Sequence, residues 1–73
     1  MKKTIYSKEY KHLVEKIKKA RKETDLDQKK VAKLLGRTQS YVSKVESGQV
    51  RIDIIQLKEF ARIYKKDLKF FIG

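Results

Sequence analysis

The chain has 73 residues and carries 20 Lys and Arg against 9 Asp and Glu, a net charge of +11. This length predicts one small domain over residues 1–73, with little room for a deep catalytic pocket. Cysteine is absent and histidine occurs once, so we expect no disulfide, no metal site and no cofactor. The charge predicts a polyanionic partner, with duplex DNA as the leading candidate.

Two further features concern where the protein works. No apolar run reaches the roughly 18 residues that span a bilayer, and no apolar segment follows Lys2 and Lys3 at the basic start. We therefore predict neither a membrane span nor a secretory signal. The lack of cysteine fits a reducing compartment, so we expect a cytoplasmic location.

The first predicted helix spans residues 7–23, because its apolar residues recur at intervals of three and four. Ser7 is placed to cap its start. Its lysine-rich side has three interpretations: a solvated face, a basic arm over residues 1–6 that reaches a DNA backbone, or a membrane-surface helix. The third is the weakest, because the apolar side is needed to cover the other helices. That side consists of Tyr10, Leu13, Val14, Ile17 and Ala20.

Two short helices are predicted next, the first opening at Asp27 and the second at Thr38. Both residues can accept a hydrogen bond from a first-turn amide. Gly36 and Gly48 end these helices, since glycine takes a positive φ without steric cost. The buried side of the earlier helix is expected to comprise Val31, Ala32, Leu34 and Leu35.

The third predicted helix has two different sides. At about 100° per residue, Val42, Val45 and Glu46 share one arc. Small hydroxyl side chains on the opposite arc allow close approach to a surface, and longer side chains there reach further. A helix start in a major groove can also present such side chains to base edges. A solvated, serine-rich face is the alternative interpretation. The polar arc consists of Gln39, Ser40, Ser43, Lys44 and Ser47.

A fourth helix is predicted from Asp53, and a last turn or two from Asp67. No useful period-2 alternation occurs, so we predict five helices and no sheet, an all-α fold. The apolar residues of the fourth helix are Ile54, Leu57, Phe60, Ala61, Ile63 and Tyr64.

The stretch from Leu26 to Gly48, LDQKKVAKLLGRTQSYVSKVESG, resembles the helix-turn-helix of the phage repressor and Cro type, the Xre-like family. The resemblance covers roughly residues 13–72 and implies a compact five-helix bundle of the lambda-repressor-like type. It places the helix-turn-helix unit at about residues 27–48. One departure is Ile52, which fills a place where the family frequently has proline. The matching residues are Leu26, Asp27, Gln28, Val31, Ala32, Leu35, Gly36, Thr38, Val42, Ser43, Val45, Glu46, Gly48, Leu57, Ala61, Asp67, Leu68 and Phe71.

The resemblance also implies DNA-contacting positions. The base-reading positions correspond to Gln39, Ser40 and Lys44, and Ser43 corresponds to a small position that touches backbone or base. Gln28 matches a glutamine that holds a phosphate and braces the recognition helix; an exposed first-turn residue is the alternative. Arg37 departs from the family pattern and is either a phosphate contact or solvated. The implied backbone contacts are Gln28, Arg37, Tyr41, Ser47, Gln49 and Arg51.

Two residues that resemble functional groups have structural interpretations. The family pairs Glu46 with a basic residue that corresponds to Arg21, and two parallel hydrogen bonds would join the first helix to the third. His12 lies near Ser7 and Glu9, but the predicted helix places it on a lysine-rich surface. We interpret it as solvated rather than catalytic.

The C-terminal segment is the expected site of homodimer contact. Its apolar surface exceeds the needs of a short helix, and the resemblance favours a dimer through this end. The alternative is that Phe70 or Phe71 folds back over the small core. The expected interface residues are Tyr64, Leu68, Phe70, Phe71 and Ile72.

The favoured function is a sequence-specific regulator that binds double-stranded DNA, a repressor or controller acting as a dimer on a pseudo-palindromic operator. The resemblance implies a bacterial or phage-encoded protein, located at the nucleoid when bound. The alternative is a DNA-binding antitoxin whose main role is to bind a toxin protein, although no long tail is present to wrap one. An enzyme is not expected, because no nucleophile–His–carboxylate spacing, metal cluster or phosphate loop occurs.

Overall fold

The computed structural model describes residues 8–72, and this part of the chain contains five α-helices and no strand. The all-α, five-helix prediction is therefore confirmed. Ser7 and the predicted basic arm over residues 1–6 lie outside the described residues. The helices are α1 (Lys8–Glu23), α2 (Gln28–Leu35), α3 (Gln39–Glu46), α4 (Ile54–Tyr64) and α5 (Leu68–Ile72).

Side-chain caps start the three middle helices. Asp27 Oδ1 accepts from the Lys30 amide at 2.8 Å, and Thr38 Oγ1 accepts from the Tyr41 amide at 3.1 Å. Asp53 forms a reciprocal capping box with Gln56 at the start of α4. Each cap satisfies an amide that has no partner within its own helix. Together they define where each short helix begins.

Glycines in the left-handed conformation end α2 and α3, and the first of them, Gly36, keeps the connection between these two helices short. Gly36 has a φ of 72°, and the next amide, that of Arg37, donates to the Ala32 carbonyl at 2.9 Å. Gly48 has a φ of 81°, and the Gln49 amide donates to the Lys44 carbonyl at 2.9 Å. Side chains with a Cβ are disfavoured in this conformation, so glycine fits both places.

All five helices contribute side chains to one core. One expectation about this core, the burial of Leu34, is wrong. Leu34 is 52% exposed, because it lies about 60° outside the arc that carries the core-facing residues of α2. Ile54 is 51% exposed, because it begins α4 and its side chain leans past the end of the core. The buried apolar residues are Tyr10, Val14, Ile17, Ala20, Val31, Ala32, Val42, Val45, Leu57, Phe60, Ala61, Tyr64 and Phe71.

The short helix α5 is held against the core by aromatic and cationic contacts. Phe71 is buried, and its ring meets the ring of Phe70 edge-on at 5.1 Å. Lys16 and Lys66 place their ammonium groups 4.9 and 4.6 Å from the centre of the Phe70 ring. Lys66 also donates to Glu23 at 2.7 Å, a hydrogen bond that lowers the pKa of the Glu23 carboxyl. These contacts tie α5 to α1.

The packing of α5 corrects the expected dimer surface. Tyr64 and Phe71 are each 1% exposed within a single chain, so neither offers surface to a second copy. They complete the core of a domain too small to be filled by its longer helices alone. Leu68 and Phe70 are half-buried, and Ile72 is 62% exposed.

The Tyr64 hydroxyl is buried and has no hydrogen-bond partner among residues 8–72. Burial, with a smaller contribution from the Glu46 carboxylate, raises the pKa of Tyr64 above its usual value. A buried hydroxyl without a partner loses its bonds to water and gains none in return. This group therefore opposes folding.

We expect Tyr64→Phe to raise the free energy of unfolding by about 1 kcal/mol, because it removes an unsatisfied hydroxyl and keeps the ring. Urea unfolding of the variant and the parent measures the difference. A loss of stability would show that the hydroxyl has a partner in solution.

Candidate nucleic-acid interface

Helix α3 presents a polar, exposed side and an apolar, buried side. Val42 and Val45 are fully buried, at 0% exposure each. The opposite side is exposed, and the small side chains of Ser40 and Ser43 lie on it between the longer side chains of Gln39 and Lys44. This arrangement lets the helix approach a flat or grooved partner closely. The exposed residues of this side are Gln39, Ser40, Ser43, Lys44 and Ser47.

A buried ion pair fixes the C-terminal end of α3. Glu46 is 5% exposed, and its carboxylate accepts from Arg21 Nε at 2.6 Å and from Arg21 Nη2 at 3.1 Å. Arg21 Nη1 also donates to the Leu26 carbonyl at 3.0 Å, which ties the α1–α2 connection to the same group. The hydrogen bonds that Arg21 donates to Glu46 raise the pKa of Arg21, so the guanidinium stays charged. The ion pair expected between these two residues is present.

Gln28 joins the same cluster from the start of α2. Its Nε2 donates to Glu46 Oε1 at 3.0 Å, and its side chain is half-buried. The structure therefore places Gln28 as a link between α2 and α3 rather than as a merely solvated first-turn residue. An amide nitrogen carries two hydrogens. One is used by Glu46, and the other is available to a further acceptor.

An arginine stacked on a tyrosine lies at the start of α3. The Arg37 guanidinium carbon is 4.7 Å from the centre of the Tyr41 ring, and Tyr41 stacks in turn on buried Phe60 at 6.3 Å. Burial raises the pKa of the Tyr41 hydroxyl, while the Arg37 charge acts in the opposite direction. The exposed Arg37 side chain is thus linked to the core through the Tyr41 ring, which packs on Phe60.

A second arginine–tyrosine stack lies in the loop after α3. The Arg51 guanidinium carbon is 4.9 Å from the centre of the Tyr10 ring. Gln49 and Arg51 are both exposed, whereas Tyr10 is buried. Ser47 is exposed and donates its hydroxyl to the Lys44 carbonyl at 3.1 Å, which closes the end of α3. The end of α3 and the loop after it therefore offer one supported cation, Arg51, and two exposed polar side chains, Ser47 and Gln49.

Two contributions were missed at the sequence level. Tyr10 was assigned only to the apolar side of α1, although a buried tyrosine in such a pattern signals that its hydroxyl needs a partner. The exposed side of α2 adds positive charge beside the helix-turn-helix turn, and only the high overall charge pointed to it. The α2 lysines are Lys29, Lys30 and Lys33.

Other kinds of site find no support in the described residues. Across residues 8–72, no three His, Cys, Asp or Glu side chains are grouped to hold a metal ion. None of the helices in this range is long and apolar enough to cross a bilayer. His12 is exposed on α1.

The exposed polar helix, its buried ion pair and the short glycine-ended turn before it define a helix-turn-helix unit. A family model described as helix-turn-helix matches residues 17–71. The chain belongs to this family, whose members are of the Xre and lambda-repressor type. It is accordingly a DNA-binding helix-turn-helix regulator. No curated protein is significantly similar to it in sequence.

We expect Arg21→Ala to lower the free energy of unfolding by about 3–5 kcal/mol, because it leaves the Glu46 carboxylate buried without its cation. Chemical unfolding measures the loss, and Arg21→Ala/Glu46→Gln should recover part of it. The matched control is Glu15→Ala, which breaks the solvent-exposed pair between Glu15 and Lys18 within α1 and should change stability little. Equal effects of the two single variants would contradict a dominant role for the buried pair.

Proposed function

We propose that this protein is a transcriptional repressor that binds a pseudo-palindromic operator as a homodimer. The observation that carries the proposal is the exposed polar side of α3, held at both ends by contacts to the core. A helix fixed in this way can enter the major groove without reorganising. Occupying an operator beside a promoter excludes other proteins from the same DNA.

Base reading is assigned to four exposed residues of α3. Gln39 lies at the helix start, where its amide can pair with adenine, and Lys44 is long enough to reach guanine. Ser40 and Ser43 are small, so the helix approaches the base edges closely and their hydroxyls contact base or backbone. These assignments rest on exposure and on side-chain chemistry.

Backbone contacts are assigned to residues around α3. Arg37 and Arg51 flank the helix, each stacked on a tyrosine ring, and their cations can neutralise phosphates on either side of the groove. Gln28 has one amide hydrogen left for a phosphate beside the start of α2. The remaining backbone contacts are Tyr41, Ser47 and Gln49. Such contacts set affinity and register, whereas base contacts set sequence preference.

The homodimer is proposed because one recognition helix reads only a few base pairs. Two copies related by a two-fold axis would place their α3 helices about 34 Å apart, one turn of DNA. The C-terminal end supports this contact through Ile72, which is 62% exposed, with the open edges of Leu68 and Phe70.

The division between base and backbone contacts is testable with two variants. We expect Lys44→Ala to cost about 1–3 kcal/mol on the preferred operator and to relax preference at one base position. Arg51→Ala should weaken all duplexes alike and lower the slope of log Kd against log salt by about one. Operators are first selected from a random duplex library, and binding is then measured by fluorescence anisotropy at several salt concentrations.

The control for these variants is Lys19→Ala, which removes one exposed positive charge from α1. It should leave base preference unchanged and affect affinity less than Arg51→Ala. If Lys44→Ala and Arg51→Ala reduced specific and random DNA binding equally, the division of roles would be wrong.

The dimer contact is tested by placing a charge at the C-terminal end. We expect Ile72→Asp to shift the protein toward monomer in sedimentation at micromolar concentration, because a carboxylate would be desolvated in the interface. Leu34→Asp is the matched control, since Leu34 is similarly exposed at 52% but lies on α2. A parent protein that sediments as a monomer, alone and on its operator, would contradict the dimer.

A further inference from the structure

The loop between α3 and α4 depends on one side chain from α1. The Tyr10 hydroxyl donates to the Val50 carbonyl at 2.9 Å and accepts from the Ile52 amide at 3.2 Å. These two backbone groups lie on either side of Arg51. Tyr10 thus spans more than half the chain in sequence to hold the loop at one position.

Tyr10 also supports the Arg51 side chain itself. Tyr10 is 6% exposed, and the Arg51 guanidinium carbon lies 4.9 Å from the centre of its ring. One residue therefore fixes the backbone before Arg51, the backbone after it and the direction of its guanidinium. We call this arrangement of Tyr10 with Val50, Arg51 and Ile52 the loop clamp.

The amide of Ile52 explains why the clamp is needed. A proline at this position would have no N–H and would have a fixed φ. Ile52 keeps its N–H and lacks the fixed φ of proline. The Tyr10 hydroxyl satisfies that donor and supplies from outside the loop the restraint that a proline ring would supply from within.

We propose that Tyr10 is a positioning residue for DNA binding, which aims Arg51 at a phosphate before DNA arrives. The inference rests on the proposed backbone contact of Arg51. An arginine in a free loop must be ordered when it binds, and a pre-ordered one avoids that loss of entropy. Tyr10 itself touches no DNA in this proposal.

The deciding variant is Tyr10→Phe, which keeps the ring in the core and beneath Arg51 but removes both hydrogen bonds to the loop. We expect affinity for all duplex sequences to fall about five-fold, because an Arg51 that the loop no longer holds in place must be ordered when DNA binds. The salt slope should fall toward that of Arg51→Ala, and base preference should not change. The double variant Tyr10→Phe/Arg51→Ala should bind no more weakly than Arg51→Ala alone, because both changes remove the same contact.

Tyr64→Phe is the matched control, since it makes the same chemical change at another buried tyrosine whose hydroxyl does not bond to the loop. It should leave both affinity and salt slope at the parent values. Thermal melts of every variant accompany the binding measurements, which are made well below each melting temperature.

The outcomes separate this inference from the proposed function. If Arg51→Ala lowers affinity as expected and Tyr10→Phe does not change it, the loop clamp is overturned and the proposed function stands. The loop clamp is also overturned if the affinity losses of Tyr10→Phe and Arg51→Ala add in the double variant while Tyr10→Phe leaves the salt slope unchanged. Tyr10 would then have a purely structural role. If Arg51→Ala changes neither affinity nor salt slope, the proposed phosphate contact of Arg51 is wrong, and the inference about Tyr10 is wrong with it.

A measurement on the parent protein guards against poor folding of Tyr10→Phe. The Ile52 amide donates to a buried hydroxyl, so its hydrogen exchange should be slower than that of the exposed Arg51 amide by at least about ten-fold. Exchange of Ile52 at the rate of a free peptide would overturn the loop clamp.

Discussion

The buried carboxylate of Glu46 is the constraint on which the rest of this structure depends. A charge at 5% exposure in so small a domain requires a matched partner, and Arg21 provides two hydrogen bonds to it. Gln28 and the Leu26 carbonyl complete the cluster, so α1, α2 and α3 meet at one group of polar atoms. These hydrogen bonds restrict the rotation of α3 about its own axis, and so determine which of its side chains face outward. Apolar packing alone would hold α3 against the core but would specify its rotation less strongly.

Tyrosine has a complementary role at the two ends of the recognition helix. Arg37 lies on Tyr41 at the start, and Arg51 lies on Tyr10 beyond the end. Each tyrosine ring packs against the core. Each arginine belongs to a turn or loop, but its contact with the ring restricts the position of its guanidinium. In a chain of net charge +11, attraction to a polyanion comes from many residues. In the proposed complex with DNA, the geometry of the interface would come from Arg37 and Arg51, whose positions the tyrosine rings set in advance.

The sequence was sufficient for the helices and for the sides of α3. The helix ends depend on hydrogen bonds between residues close together in the sequence, as at Asp27, Gly36 and Thr38. They can therefore be predicted without knowledge of the tertiary structure. The sequence was not sufficient to predict whether Leu34, Ile54 and Phe71 are buried or exposed, because this depends on which neighbouring helices cover them. Leu34 and Ile54 are exposed at places where no helix covers them, and Phe71 is buried because α5 folds over the core.

What the sequence determined by itself is therefore local: five helices, their caps, and a polar stripe on the third opposite two buried valines. The resemblance to the helix-turn-helix family adds the expected pairing of Arg21 with Glu46, and the structure contains this pair. The packing of the helices against one another places the Tyr10 hydroxyl on the loop around Arg51 and buries Tyr64 and Phe71 in the core. The physical reason is distance along the chain. A contact between residues 40 positions apart depends on how helices pack, and no local periodicity encodes it.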